Sequence, residues 1–161
     1  MNFPPPEFAL RAYLLGPAAP AEAGQWTVRR DLLDRAQGTR GTFSGVVHFV
    51  PADDGGLIFS EEGTMRWPTF TGPASREYLL RGTKRPDALD VFFPDGRPFH
   101  SMSFTPEANL DQHWCDPDTY RVAYTYGDDH RFSYSWDVKG PQKDLLLTSH
   151  LMRLSKNPAD A

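Results

Sequence analysis

Residues 41–65 read GTFSGVVHFVPADDGGLIFSEEGTM, and two strands with a turn between them are visible in that stretch. Phe43, Gly45, Val47 and Phe49 share one parity, and Leu57, Phe59, Glu61, Gly63 and Met65 share another. A period of two sends alternate side chains to opposite faces of a sheet, so each run has one apolar face. Asp53-Asp54-Gly55-Gly56 supplies the turn residues that join them. The stretch predicts a hairpin whose second strand carries Glu61 on its core side.

The pattern continues toward the carboxyl end. Ala74, Arg76, Tyr78 and Leu80 align within residues 74–82, which puts a second charged group on an apolar face. Residues 89–93 and 99–104 flank Pro94-Asp95-Gly96-Arg97, a hairpin signal in which Gly accepts positive φ. Asp118, Tyr120, Val122, Tyr124 and Tyr126 share a face, Gly127-Asp128-Asp129-His130 turns the chain, and Phe132, Tyr134, Trp136 and Val138 follow. After Gly140-Pro141, the residues Leu145, Leu147, Ser149, Leu151 and Arg153 complete a last strand. Pro117 interrupts pairing and Asp118 accepts local backbone bonds, so residues 113–117 are predicted to be a loop feeding the strand that begins near Asp118.

Toward the amino end, Trp26, Val28, Arg30 and Leu32 alternate within residues 25–33, again with a cation among apolar neighbours. Phe8, Leu10, Tyr13, Leu14 and Leu15 recur at helical spacing before Gly16 and Pro17, which predicts a short helix over about residues 6–15. The strands therefore span about residues 25–154, with a polar tail at 155–161, in a single domain covering 1–161. About nine short strands joined by hairpins predict an all-β, antiparallel up-and-down barrel of roughly eight to ten strands, because closure removes exposed edges.

Composition narrows the function classes. Eleven Phe, six Tyr and four Trp among 161 residues favour strands and pocket linings. A net charge of −4 without a Lys/Arg cluster argues against nucleic acid as a partner. A single Cys forms no internal disulfide, and no basic-then-apolar leader is readable, so a cytoplasmic location is expected. No apolar run approaches the roughly 18 residues that a membrane-spanning helix needs.

Gly24-Gln25-Trp26 at the first strand and Arg153 at the end of the last resemble the calycin signature of lipocalins and fatty-acid-binding proteins. The resemblance implies that Trp26 packs under Arg153 and closes one mouth, with the short helix before it. A wider pattern extends it over about residues 8–154: Arg30, Glu61 with Gly63, Asp95-Gly96-Arg97 before Phe99-His100, His113 with Cys115 and Asp118, Tyr120, Trp136, Gly140-Pro141 and Lys143. Together these resemble a calycin-like barrel family of unknown function.

Charged groups on core parity are the informative ones, since an unpaired buried charge costs several kcal/mol. Arg30, Glu61, Arg76 and Arg153 are in this class, and one reading makes them a structural network that fixes register. The other gives them a ligand: a small, partly apolar molecule with a polar or anionic head, held by the guanidinium groups and by Tyr78, His100, His113, Cys115, Asp118, Tyr120, Tyr124 and Trp136. If the sheet is a simple meander, the strand from Asp118 neighbours the one carrying His100. His100, His113 and Cys115 then form a polar rim or floor with Tyr120 and Tyr124 below it.

Two alternatives share this geometry. An enzyme would use His100 or His113 as acid or base, oriented by a carboxylate such as Asp118. A haem-binding barrel resembling nitrobindins needs a His from a late strand, and His150 has the opposite parity to Leu147, Leu151 and Arg153. His100, His113, Cys115 and Asp116 offer nitrogen, sulfur and oxygen without any paired metal motif, so neither a metal nor a cofactor is expected. The sequence leaves the oligomeric state and the ligand's identity open.

Overall fold

Ten antiparallel strands make one sheet in the computed structural model, which describes residues 2–17 and 24–154. The strands are β1 (Gly24–Asp34), β2 (Thr39–Pro51), β3 (Leu57–Trp67), β4 (Phe70–Gly82), β5 (Ala88–Phe92), β6 (Pro98–Ser103), β7 (Leu110–Cys115), β8 (Asp118–Asp128), β9 (Arg131–Lys139) and β10 (Asp144–Arg153). One helix, α1 (Leu10–Leu15), precedes them. No helix among the described residues is long and apolar enough to cross a membrane.

The order β6-β5-β4-β3-β2-β1-β10-β9-β8-β7 is a meander bent into a nearly closed barrel. β1 pairs with both β2 and β10, placing Trp26 opposite Arg153 and Arg30 opposite Ser149. The seam lies between β6 and β7, where a side chain stands in for a ladder. The Asp111 carboxylate accepts from the Ser101 backbone N–H at 2.6 Å and from that of Gln112 at 2.8 Å. Only the bond to Ser101 crosses from β7 to β6, and the bond to Gln112 holds the carboxylate within β7.

In such a meander the turns alternate between ends. The turns after β2, β4, β6 and β8 share their end with α1, whose Leu10 N–H donates to Pro86 O at 2.9 Å. Leu10, Tyr13 and Leu14 are buried beneath Trp26, Phe104, Phe132 and Tyr126. Trp26 Nε1 donates to Leu14 O at 2.9 Å, and the Tyr13 hydroxyl donates to Asp128 O at 2.7 Å. The Arg153 guanidinium lies 4.3 Å from the Trp26 ring centroid and 5.2 Å from that of Tyr13. This end is therefore plugged.

Gly45 and Gly63 face each other across β2 and β3. A Cβ on Gly63 would come within 2.6 Å of the Gly45 Cα and 2.2 Å of Ser44 O, so only glycine fits where the two backbones approach this closely.

Two expectations need correction. The helix starts at Leu10 rather than near residue 6, because Glu7 takes a positive φ of 61° after a run of prolines. Residues 113–115 are not loop. They belong to β7, whose His113 pairs with Tyr120 and Cys115 with Asp118, leaving only Asp116 and Pro117 in the turn. The strand from Asp118 therefore lies beside β7 and β9 rather than beside the strand of His100. The tail expected at 155–161 lies outside the described residues.

Candidate ligand-binding site

Arg30, Glu61 and Arg76 meet halfway along the barrel because β1, β3 and β4 each present one of them on the inner face. Glu61 is 2% exposed. Its Oε1 accepts from Arg30 Nη1 at 3.0 Å and from Arg76 Nε at 2.9 Å, and its Oε2 accepts from Arg30 Nη2 at 2.6 Å. Arg30 Nε donates to Ser149 Oγ at 2.6 Å, and each guanidinium donates to the Tyr134 hydroxyl at 3.1 Å. Charge-assisted and bidentate bonds of this kind are the ones strong enough to hold buried ions.

Two guanidinium groups thus face one carboxylate, leaving one formal positive charge in excess. Burial works against the charge on Arg30, yet Tyr134 and the bond to Glu61 offset it and hold its pKa above the ordinary guanidinium value. Arg76 follows the same balance, with burial opposed by Tyr134 and then Glu61. The two differ in access: the Arg30 side chain is 6% exposed and that of Arg76 is 31%.

Arg76 borders a cavity of about 40 Å3 shared with Tyr78, His100, Tyr124, Tyr134 and Trp136. That space holds about three water molecules, far less than a typical ligand site. His100 Nε2 and the Tyr124 hydroxyl share a hydrogen bond of 2.8 Å, while the buried His100 Nδ1 has no partner among the described residues. Burial pushes the imidazole down to about 3, with Asp111 opposing that shift and His113 and Arg76 adding to it. His100 is therefore neutral near pH 7. Burial also raises the Tyr124 and Tyr78 hydroxyls, which keeps both protonated.

A β-bulge shapes the upper wall. Val91 pairs with His100 and Phe92 with Pro98, so Phe99 is an extra residue without a partner on β5. The bulge turns consecutive residues toward the same ring: Phe99 stacks on Trp136 at 5.0 Å and 4°, and His100 meets it edge-on at 4.8 Å and 88°. Phe93, just before the turn at Gly96 (φ 91°), stacks on Phe99 at 4.5 Å and 21°.

The remaining expected residues lie toward the end opposite α1. His113 meets Phe99 edge-on at 5.1 Å and lies 6.3 Å from the Tyr120 ring. Lys143 Nζ reaches Asp118 Oδ2 at 3.2 Å and the Tyr120 hydroxyl at 3.4 Å. Cys115 is exposed and His150 faces outward. The interior thus unites Arg30, Glu61, Arg76, Tyr78, His100, Tyr124 and Trp136, while Asp118, Tyr120 and His113 sit above them. Sequence reasoning left Tyr134, Ser149, Phe99 and Asp111 out of the site. Tyr134 and Ser149 had the right parity to be included, whereas the bulge at Phe99 breaks the period that reading depends on. Among the described residues no group of three or more His, Cys, Asp or Glu is placed to hold a metal.

Helix plug, Trp26–Arg153 closure and charged interior define a calycin-like barrel. The chain belongs to the family of unknown function DUF6314, which matches residues 23–153. Its fold is similar to that of an S-type phycobiliprotein lyase from Guillardia theta, at 10% identity over 83% of this chain and 89% of that one, with a TM-score of 0.59. It is also similar to a protein of unknown function from Nostoc punctiforme, in the DUF3598 family, at 9% identity over 81% of this chain and 47% of that one, with a TM-score of 0.54. No curated protein matches the sequence.

Proposed function

We propose that the barrel binds a small, partly apolar molecule with a polar or anionic head, seated in the middle layer beside Arg76. The observation that carries this reading is the excess cation: Arg30 is satisfied by Glu61, Ser149 and Tyr134, whereas Arg76 reaches the cavity with charge to spare. A buried cation favours an anionic partner, and the unpartnered His100 Nδ1 offers a further polar contact. Tyr78, Phe59 and Trp136 supply apolar walls. A general-base role for His100 draws less support, since a group with a pKa near 3 takes up a proton poorly at neutral pH.

Native mass spectrometry of the purified protein tests the reading. A small-molecule adduct in the wild type that diminishes in Arg76→Met is the expected result. Absence of any adduct, together with no thermal stabilisation by small carboxylates, overturns it.

A further inference from the structure

The geometry points to a planar aromatic anion as the ligand, with the Phe99 ring acting as a built-in stand-in that the ligand displaces. This rests on the reading that the interior binds a small molecule and specifies its chemical class. Phe99 is partly buried and packs among other rings much as a bound ring would. Phe93 and Trp136 stack against it at 4.5 and 5.0 Å, with interplanar angles of 21° and 4°. His100 and His113 meet its edge at 89° and 84°, and Tyr78 lies 5.4 Å away. Flat faces on a ring with edge contacts around it are the arrangement that π-systems prefer, and it suits a flat ring better than a saturated one.

The backbone at Phe99 suits an exchangeable ring. Phe99 is the bulged residue, so its movement breaks no ladder pairing with β5, and the Gly96 turn lies three residues away. Bulges re-aim side chains in this manner. Phe99 lines the small cavity together with Arg76 and His100, whose Nδ1 is buried without a partner among the described residues. Withdrawal of one phenyl ring joins its volume to that cavity and leaves a slot that ends at a guanidinium. A ring system bearing a carboxylate or similar anion fills both parts, whereas a flexible aliphatic chain gains nothing from the two flat faces.

Isothermal titration with 2-naphthoate, its fully saturated counterpart decahydro-2-naphthoate, and the neutral 2-naphthamide tests this. Wild type is expected to prefer naphthoate over the saturated acid by about tenfold, the worth of two lost stacking contacts. Phe99→Ala should tighten naphthoate by about tenfold, because the site no longer has to open first. It should not tighten the saturated acid to the same degree, which separates an emptied aromatic slot from a mere hole. Trp136→Leu should weaken naphthoate, and Arg76→Met should abolish its advantage over the amide.

Equal binding of the flat and saturated acids overturns the proposal, as does a Phe99→Ala protein that binds naphthoate more weakly, for then Phe99 is wall and not plug. If a co-purifying aliphatic molecule is found instead, this inference falls while small-molecule binding stands. If Arg76→Met alters the binding of none of these probes or of any adduct, the placement of the head group falls as well.

Discussion

Changing Glu61 to Ala removes the carboxylate that Arg30 and Arg76 share and leaves two cations in the barrel with only neutral oxygens as partners. Breaking a buried pair from one side costs about 3–5 kcal/mol, because the stranded Arg30 charge is kept from water and has no counter-ion. Against a total stability of about 5–15 kcal/mol this is a large fraction. With a slope of about 2 kcal/mol per molar urea, the unfolding midpoint should drop by about 2 M. Adding Arg30→Met removes the deeper cation and leaves an alkyl chain over Phe43, which the guanidinium now covers at 5.0 Å. That double variant should recover part of the loss, about 1–3 kcal/mol. Pairing Glu61→Ala with Arg76→Met should recover less, since Arg76 is the more accessible of the two. Urea unfolding followed by tryptophan fluorescence reads all three variants. A double variant with Arg30→Met that is no more stable than Glu61→Ala alone refutes the argument that the buried charge sets the cost.

Two further outcomes follow from the geometry. His100 has a folded pKa of about 3 against an ordinary value near 6.5, so its contribution is fully present above pH 6.5 and is lost as pH falls toward 3. Stability should therefore decline by up to about 1.4 kcal/mol per pH unit between 6.5 and 5. In the same urea titrations His100→Gln should flatten the slope, and an unchanged slope would show that other groups set it. At the plugged end, Arg153→Met should cost about 0.5–2 kcal/mol for the contact over Trp26, and Arg153→Lys should rescue it only partly because an ammonium does not stack. Thermal melts that rank Lys equal to Arg would assign the contact to charge alone.

The sequence exposed the barrel through its period of two. Arg30, Glu61 and Arg76 could be placed inside because each shares parity with apolar neighbours, and their strands are regular through the middle of the sheet. Their convergence was foreseeable from charge, since buried ions need partners. β7 was missed because Leu110 and Trp114, its large apolar residues, face outward at 70% and 60% exposure, so no core stripe marks the strand. The role of Asp111 depends on the seam, a property of the closed sheet with no local signature. Phe99 and His100 share the inner side only because a residue is inserted, and that is the irregularity alternation cannot reveal.

The placement of the seam also bears on how the chain folds. β6 and β7 are neighbours in sequence yet lack a ladder, while β1 and β10, at opposite ends of the chain, are joined by one running from Trp26–Arg153 to Asp34–Leu145. Closing a loop that long carries a large entropic cost before any contact rewards it, and such long-range pairing slows folding. Two local hairpin arrays, β1 to β6 and β7 to β10, can assemble first, which makes the meeting of β1 with β10 the slow step. A circular permutant opened in the β6–β7 connection, with the amino and carboxyl ends of the chain joined by a linker so that α1 is kept, turns that meeting into a more local event. It keeps every ladder and should fold faster.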